Sequence, residues 1–454
     1  MLDLVIENVV FADPAEKITG TGSVGIKAGR IAVLSRGSLS GRRTIDGRGL
    51  TLAPGFIDIH MHEDLLAATA SGKAIPEEMA ACQVRMGVTT SVGGNCGLGT
   101  GRLEEYFGQL ERQGSLVNYA SFVGYTALRH ELGIKDEYHA ASSAELEKLK
   151  EMARAGLKAG AAGISFGIEY TPGSTTEELL DVASVAKEFP NRLLAAHFRS
   201  DAGDALPSIK EMICLGRETG LPFQISHLGS CAAYGMMSEA LDLISAAAAQ
   251  GDGILADCYP YAAFCSFIGA AFFGGDCFER WGVDHGAIQV AEGPYAGERC
   301  DRALFEKLRR EAPDTLVVAF VMREDEVLEC LNHPLVLVAS DALLHNGQGH
   351  PRSAGTFPRV LGRFVREGKV AFSAALRQMT LAPAERLGLK DRGRLEEGAW
   401  ADLVLFDPAT LVDKATFESP TSPPVGIELV LVNGEIVLQH GILTGAHPGH
   451  ILRW

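Results

Sequence analysis

Eight short apolar runs recur along the middle of the chain, and segments with helical periodicity lie between them. The runs cover 56–62, 89–95, 118–126, 163–170, 193–198, 222–228, 253–261 and 335–342. Strands that alternate with helices form parallel sheets, and eight such units are typical of a (β/α)8 barrel. We predict an α/β fold with a TIM-type barrel over 55–390, in which the long segment of about 262–334 is an insertion over the barrel mouth.

An open, doubly wound sheet is the alternative arrangement of the same runs. Such sheets usually carry a glycine-rich phosphate loop after an early strand. The stretch "GGNCGLGTG" at 93–101 is rich in glycine, but no GxGxxG opens a helix there, and GxxxxGK[ST] occurs nowhere in the sequence. The barrel is therefore favoured.

Helix signals lie between the runs. The segment 144–160 places leucine and alanine along one stripe, as expected of a packed helix. Thr175 is followed three residues later by Glu178, which predicts a capping box, and Pro207 suits the first position of a further helix.

Both ends of the chain are rich in β signals. One hairpin is expected to turn at Ala28-Gly29, and another at Asn433-Gly434. We predict that residues 1–54 and 391–454 together form a small β-sandwich domain beside the barrel.

The composition limits the partners. The 454 residues carry a net charge of −16, which argues against nucleic acid and anionic membranes. The nine cysteines show no CxxC spacing, as expected of reduced thiols in a cytoplasmic protein. No signal peptide and no transmembrane run of 18 apolar residues is recognised. We expect a small-molecule substrate, and the sequence does not indicate an oligomeric state.

Chemically active side chains collect at the carboxyl ends of the predicted strands, where barrel enzymes place their active sites. His60 and His62 share one face if they lie on a strand. The residues at these ends are His60 and His62 after the first run, Cys96 after the second, Glu169 and Tyr170 after the fourth, His197 after the fifth, His227 after the sixth and Asp341 after the eighth.

Each of these residues has an ordinary structural explanation when it is taken alone. A histidine at a strand end is usually a satisfied polar group, a buried cysteine usually packs, and an aspartate such as Asp341 usually caps a helix. Their shared position favours a metal site instead. Imidazole, thiolate and carboxylate together suit zinc. A catalytic zinc site activates a bound water for the hydrolysis of carbonyl or phosphoryl compounds.

The stretch "GFIDIHMH" (55–62) resembles the first-strand motif of the amidohydrolase superfamily, whose members are metal hydrolases with a distorted barrel and a β-sandwich made from both chain ends. Most binuclear members carry a carboxylated lysine after strand four, which "GISFGIEY" (163–170) lacks. "GNCG" (94–97) instead resembles the D-aminoacylase branch, the N-acyl-D-amino-acid deacylases. Other stretches that resemble this branch are "HFRSD" (197–201), "ISHL" (225–228), "DCYPY" (257–261) and "SDALLHNGQGHPRSAG" (340–355).

This resemblance implies roles for individual residues. Asp341 would be the general acid/base, and Tyr170 would contact the substrate carboxylate. Cysteine 96 would take the role of the missing lysine and could bridge two metals. The implied ligands are Cys96, His197 and His227 for one tightly bound Zn2+, with His60 and His62 at a second position that is weakly occupied or empty.

One position departs from the branch, which usually continues "SHLK" with a lysine that also grips the carboxylate. Gly229 stands there instead. Either another cation replaces the lysine, with Arg199 and Arg352 as candidates, or the substrate lacks a free α-carboxylate.

The predicted function is zinc-dependent hydrolysis of a carbon–nitrogen amide bond, in an N-acyl-D-amino-acid deacylase with altered carboxylate recognition. Cyclic amide hydrolysis, as in hydantoinases and dihydroorotases, is the alternative enzyme function, although Cys96 and the missing lysine count against it. A non-catalytic metal-binding scaffold is the third alternative, and retention of the whole ligand set counts against it.

Overall fold

The computed structural model describes residues 1–63 and 72–454. Its strands, in chain order, are β1 (Leu2–Ala12), β2 (Thr19–Lys27), β3 (Arg30–Ser35), β4 (Gly41–Asp46), β5 (Thr51–Pro54), β6 (Phe56–Asp58), β7 (Val88–Gly93), β8 (Asn118–Ser121), β9 (Val123–Gly124), β10 (Gly163–Gly167), β11 (Leu193–His197), β12 (Phe223–Ile225), β13 (Ile254–Cys258), β14 (Phe264–Phe267), β15 (Ile288–Val290), β16 (Leu316–Ala319), β17 (Val336–Val338), β18 (Leu344–His345), β19 (Gln348–Gly349), β20 (Leu403–Phe406), β21 (Ile427–Val432), β22 (Glu435–Gln439) and β23 (Ile442–Leu443).

The α-helices of the described ranges are α1 (Glu77–Arg85), α2 (Leu103–Gln113), α3 (Tyr125–Glu131), α4 (Ser143–Lys158), α5 (Thr176–Ser184), α6 (Ala205–Thr219), α7 (Leu228–Ala232), α8 (Met237–Ala249), α9 (Cys277–Trp281), α10 (Arg302–Glu311), α11 (Glu324–Leu331), α12 (Arg352–Pro358), α13 (Phe372–Met379) and α14 (Leu381–Arg386). A π-helical stretch, Arg359–Phe364, continues α12. Within these ranges, no helix has the length and apolar character that a membrane crossing requires.

All eight predicted apolar runs contain strands, and the chain is a mixed α/β protein as predicted. Parallel pairing joins β6, β7 and β8 in one sheet, and β9, β10, β11, β12, β13 and β17 in another. The strands β8 and β9 follow each other with only Phe122 between them, and the Phe122 amide donates to the Gly93 carbonyl at 3.0 Å.

The first and last runs also meet. Met61 and Ala342 form a parallel bridge, the His62 amide donates to the Ala342 carbonyl at 2.8 Å, and the Asp341 amide donates to the His60 carbonyl at 2.8 Å. These contacts place the carboxyl end of β6 beside that of β17, which brings residues almost 280 positions apart into the same region.

Both chain ends contribute to one nine-stranded sheet, in which β5 pairs with β20. The two predicted hairpin turns are confirmed, because positive φ angles occur at Ala28-Gly29 (48° and 77°) and at Asn433-Gly434 (50° and 81°). A separate hydrophobic cluster joins residues of the two ends, such as Ile6, Leu52 and Leu405. The last residues cross to the other sheet, where the Tyr119 amide donates to the His450 carbonyl at 2.9 Å.

The helix signals were right about the helices and partly wrong about their caps. The helix predicted at 144–160 is α4, and the one expected at Pro207 begins two residues earlier, at Ala205. Thr175 does cap α5, since its side chain accepts from the Glu178 amide. Half of the predicted capping box is missing there, because the Glu178 carboxylate pairs with Arg129 at 2.9 Å.

The segment between β13 and β17 contains a small antiparallel sheet in the order β14-β16-β15 and the helices α9, α10 and α11. It carries a cluster of aromatic rings, in which Phe264 packs against Phe272, Phe273 and Trp281 with ring centroids 5.6–6.0 Å apart. This segment supplies one wall of the cavity described below.

Candidate active site

The carboxyl ends of the strands bring the predicted metal ligands together in the interior, where all of them are buried. They form two groups that share Cys96, and within each group the ligand atoms lie within 4.8 Å of one another: His60, His62, Cys96 and Asp341 in one, and Cys96, His197 and His227 in the other.

The two histidines of the first run come after the strand rather than lying on it, since β6 ends at Asp58. Their rings nevertheless meet, with centroids 5.3 Å apart at 79°. Both Nε2 atoms face Asp341 Oδ1, at 3.3 Å from His60 and 3.1 Å from His62. The bend after Asp58 and the Met61–Ala342 bridge therefore bring His60 and His62 to the same side, which was expected from the alternation of side chains along a strand.

Cys96 lies in a tight loop after β7, with a φ of 53°. Gly94 and Gly97 on either side also have positive φ, and a Cβ on Gly94 would collide with the Phe122 carbonyl. Asn95 fixes the loop, because its side-chain amide donates to the Val92 carbonyl at 2.9 Å. The "GGNCG" pattern is thus what lets a cysteine side chain reach the interior at this turn.

The Cys96 thiol is held in a cationic environment. Its Sγ lies 3.3 Å from both His60 Nε2 and His227 Nε2. Burial raises the pKa of Cys96, but the charges of His60 and His227, together with the neighbouring His197 imidazole, lower it well below its usual range. A thiolate is the form in which cysteine binds metals.

His197 is turned by Glu169, whose carboxylate lies 2.9 Å from His197 Nε2. The other ring nitrogen, Nδ1, is buried without a hydrogen-bond partner. Burial raises the pKa of Glu169 to about 7, against the hydrogen bond from His197, which lowers it. Buried polar atoms are rarely left unpaired, so an orphaned imidazole nitrogen beside a thiolate indicates a bound group.

His227 directly precedes α7, and its backbone lies in the left-handed region, with a φ of 34°. Its amide donates to Asp257 Oδ1 at 2.7 Å, and its Nδ1 pairs with the Ser230 hydroxyl at 2.8 Å. Asp257 also lies 3.1 Å from His60 Nδ1 and accepts from Gln224 at 3.0 Å. One carboxylate on β13 thereby holds the His60 ring and the His227 backbone, and the Nε2 atoms of both histidines face Cys96.

Asp341 also has a positive φ, 47°. No helix begins directly after it, since the next helix, α12, begins only at Arg352. The ordinary explanation of this residue as a helix cap is therefore wrong. Its Oδ2 pairs with Arg352 Nη1 at 2.9 Å. Burial raises the pKa of Asp341, but Arg352 and then the charges of His60 and His227 hold it well below its usual range.

These residues fit a metal ion. The donors are a thiolate, imidazole nitrogens and a carboxylate, which is the ligand chemistry of zinc. His197 Nδ1 is unpaired, while the remaining nitrogens of His60 and His227 are already hydrogen-bonded to Asp257 and Ser230. Such partners on the far nitrogen are what metal-bound histidines usually have.

A cavity of about 350 Å3 opens from this cluster. Cys96, His62, His197, His227 and Asp341 line it, together with Tyr170 and Arg352. The Tyr170 ring lies 4.7 Å from the His197 ring, and its hydroxyl is 3.4 Å from Ser266 Oγ. The Arg352 guanidinium is buried over the Tyr259 ring at 4.6 Å, and its Nε has no hydrogen-bond partner.

Arg199 and Gly229 are two positions that the sequence connects with substrate binding, and the structure shows the surroundings of each. Arg199 does not reach the cavity, because its guanidinium pairs with Glu211 of α6 at 2.7 and 2.8 Å. Gly229 does mark a filled space, since a Cβ there would lie 3.1 Å from both Cys258 Sγ and Met322 Cε. Of the two candidate cations, the structure thus brings Arg352 to the cavity and not Arg199.

Three residues of the site were missed as candidates. Asp257 was noticed only as part of "DCYPY", and its position in a predicted strand gave no sign that it orients His60 and His227. Ser230 and Ser266 carry no motif. A signal for Asp257 was available in principle, because a carboxylate at a strand's carboxyl end is rarely buried without partners.

Comparisons with known proteins show which family this chain resembles. A model of the amidohydrolase family matches residues 292–438. The N-acyl-D-glutamate deacylase of Alcaligenes xylosoxydans xylosoxydans is 35% identical over 488 residues, covering 100% of this chain and 96% of that protein.

Two solved structures are similar over 100% of both chains. One is a D-aminoacylase with a binuclear metal centre, at 28% identity and a TM-score of 0.88. The other is the N-acyl-D-glutamate deacylase of Bordetella bronchiseptica in complex with zinc and a phosphonate inhibitor, at 32% identity and a TM-score of 0.87. From the match over the full length, we conclude that the chain belongs to the amidohydrolase family, in the branch of the D-aminoacylases.

Proposed function

We propose that this protein is a zinc-dependent hydrolase that removes the acyl group from N-acyl-D-amino acids. The observation that carries the proposal is the buried cluster of Cys96, His197 and His227 beside Asp341, in a cavity that also contains the Arg352 guanidinium. Similarity over the full length to deacylases of this kind supports the reaction type and the D configuration of the substrate.

The proposed ligands of one tightly bound Zn2+ are Cys96, His197 and His227. The second position, lined by His60 and His62, is proposed to be weakly occupied or empty, because both imidazoles already contact Asp341. The zinc, when bound, would polarise the acyl carbonyl and lower the pKa of the attacking water.

Asp341 is the proposed general acid/base. Its lowered pKa keeps the carboxylate ionised at neutral pH, so it is ready to accept the proton of the attacking water. Arg352 holds Oδ2, which leaves Oδ1, on the side of His60 and His62, to carry the proton. The same carboxyl would then deliver that proton to the leaving nitrogen.

Arg352 and Tyr170 are the proposed contacts of the substrate carboxylate. The Arg352 Nε is unpaired in a buried environment, and a guanidinium is well suited to bind a carboxylate. Because a cation does line the cavity, the structure favours a substrate with a free α-carboxylate over simple acylamines or cyclic amides, even though Gly229 replaces the lysine of the branch.

The architecture proposed around this site is a closed (β/α)8 barrel over 55–390, with an insertion of about 262–334. Residues 1–54 and 391–454 would form the small β-sandwich domain. The contacts between the first and last runs and the shared sheet of the two chain ends support this division.

The test is a substrate panel with zinc supplied: N-acetyl-D-leucine, its L enantiomer, its D-carboxamide, hydantoin and dihydroorotate. The D acid should be hydrolysed at least ~100-fold faster than the carboxamide, since a charge-assisted contact of up to ~3 kcal/mol is lost in the amide. Preferred hydrolysis of either cyclic compound would contradict the proposed function, while an equal rate for acid and carboxamide would contradict only the role of Arg352 and Tyr170.

A further inference from the structure

The similar proteins leave the side chain of the substrate open, since a D-glutamate deacylase and a D-aminoacylase both match over the full length. We infer that the cavity of this chain takes N-acyl-D-amino acids with neutral, apolar side chains and rejects those with acidic side chains. This inference rests on the proposed function and adds to it the class of side chain.

The first observation is the cation content of the cavity. Among the described residues that line it, Arg352 is the single arginine, and none is a lysine. The Arg352 guanidinium already pairs with the Asp341 carboxylate at 2.9 Å. The α-carboxylate of the substrate would bind the donor atoms of Arg352 that this pair leaves free. A second carboxylate would therefore enter the cavity without a partner charge, at a large cost in desolvation.

The second observation is the acidic edge of the cavity. Asp314 lies at its exposed end, next to the exposed Pro313, and the half-buried Glu137 also lines it. His130 also lines the cavity, and partial burial together with the charges of Arg129 and Lys135 lowers its pKa, so it adds little positive charge at neutral pH. Arg309 offsets part of the Glu137 charge, so the repulsion of an acidic side chain at this edge is assigned chiefly to Asp314.

The third observation is the apolar wall. Phe264, Phe267 and Phe272, all from the segment between β13 and β17, line the cavity, and Leu98 and Leu343 line it from the barrel side. The Phe272 ring lies 5.8 Å from the Tyr170 ring, so the wall adjoins the proposed carboxylate contact. The acyl group and the side chain of the substrate share this space. Whichever part each of them occupies, the described lining offers the side chain no second arginine or lysine.

The test compares N-acetyl derivatives of D-leucine, D-glutamine and D-glutamate on the zinc-loaded enzyme. The leucine derivative should exceed the glutamate derivative in kcat/KM by at least ~100-fold, with the glutamine derivative in between, because it matches glutamate in shape but has no charge. A glutamate derivative that is hydrolysed as well as the leucine derivative would overturn the inference and leave the proposed function standing. If glutamine is as poor as glutamate, shape and not charge excludes the side chain, and the inference is overturned as well. Failure of all three would remove the proposed function and this inference with it.

A pair of variants tests the edge itself. Asp314→Lys reverses the charge at the cavity, and Asp325→Lys makes the same change at an exposed residue of α11 that does not line it. The ratio of kcat/KM for leucine over glutamate should fall at least ~5-fold in Asp314→Lys and stay unchanged in Asp325→Lys. An equal fall in both variants would trace the discrimination to the net charge of −16 and overturn its assignment to the cavity.

Discussion

Cys96 connects the two groups of proposed metal ligands, since its Sγ lies 3.3 Å from His60 and from His227. Cys96→Ala removes the thiolate that both groups share, and no lysine in the neighbouring strand end can replace it. We expect the bound zinc to drop from about one per chain to a small fraction of that. Elemental analysis of the variant measures this directly.

Cys300→Ala is the matched control for that change. Cys300 is another buried free thiol, and it lies outside the cavity. Its replacement should leave the zinc content as it is in the wild type. A Cys96→Ala protein with full zinc and full activity would show that the ligand assignment is wrong.

Asp341→Asn tests the proton carrier. Asparagine tolerates the left-handed backbone that residue 341 adopts and keeps the shape of the side chain, so the fold and the zinc content should be preserved. The amide cannot accept the proton of water, and kcat should fall by at least ~100-fold. Turnover within about threefold of the wild type, in a protein with normal zinc content, would rule out the assigned role.

At the scale of single residues, the sequence predicted the side chains that form the buried cluster and missed the residues that support them. His60, Cys96, His197 and His227 could be found because each follows a recognisable strand. Asp257 was missed, because its partners His60 and His227 lie 197 and 30 positions away from it along the chain. Arg199 was misjudged for a related reason: its place after β11 says nothing about where its guanidinium points, and Glu211 of α6 holds it away from the cavity.

The helices show a similar division between pattern and context. Ser142 and Glu145 form a complete capping box at α4, while the equally good pattern at Thr175 and Glu178 forms only half of one. The difference is tertiary, since Arg129 of α3 recruits the Glu178 carboxylate and Tyr125 binds it as well. No local pattern reveals which of two matching sequences has a competing partner.

The buried pair of Arg129 and Glu178 ties α3 to α5, with side chains 1% and 4% exposed. Arg129→Met leaves the carboxylate without its charge partner, and we expect the free energy of unfolding to fall by ~3–5 kcal/mol. Urea unfolding followed by circular dichroism measures the change. Arg102→Met is the control, since it breaks the exposed pair with Glu131 and should cost less than ~1 kcal/mol.

The capping box of α4 has a pH signature. Hydrogen bonds from His139 and from Ser142 lower the pKa of Glu145 to about 2. A carboxylate with a depressed folded-state pKa stabilises the fold above its unfolded pKa, near 4.5, and loses this contribution as the pH falls toward 2. Glu145→Gln should therefore unfold more easily than the wild type at pH 7, and the difference should shrink steadily below pH 4.5.

Thermal unfolding at several pH values checks this, with Glu147→Gln on the same helix as the control. Glu147 pairs with Lys150 on an exposed surface and takes no part in the cap. A gap between Glu145→Gln and the wild type that stays constant from pH 7 to pH 3 would contradict the assigned cause.

At the scale of the whole molecule, the alternation of apolar runs and helices was enough to predict the eight runs that carry the parallel strands, although one run divides into two strands, β8 and β9. It was also enough to predict that both chain ends are β-rich. What the pattern could not supply is the pairing of β5 with β20 or the return of the last residues to Tyr119, because these contacts join segments that are more than 300 residues apart.

The pairing of segments that lie so far apart in the sequence has a consequence for folding during synthesis on the ribosome. The strand β5 is complete at residue 54, yet its partner β20 begins only at residue 403. At a synthesis rate of about 5–20 residues per second, the nascent β5 waits roughly 20–70 s for that partner. The edge of the sheet at Tyr119 pairs with residues 450–452, which are synthesised more than 300 residues later. Until both partners have been synthesised, the growing chain has unpaired strand edges that a chaperone would have to shield.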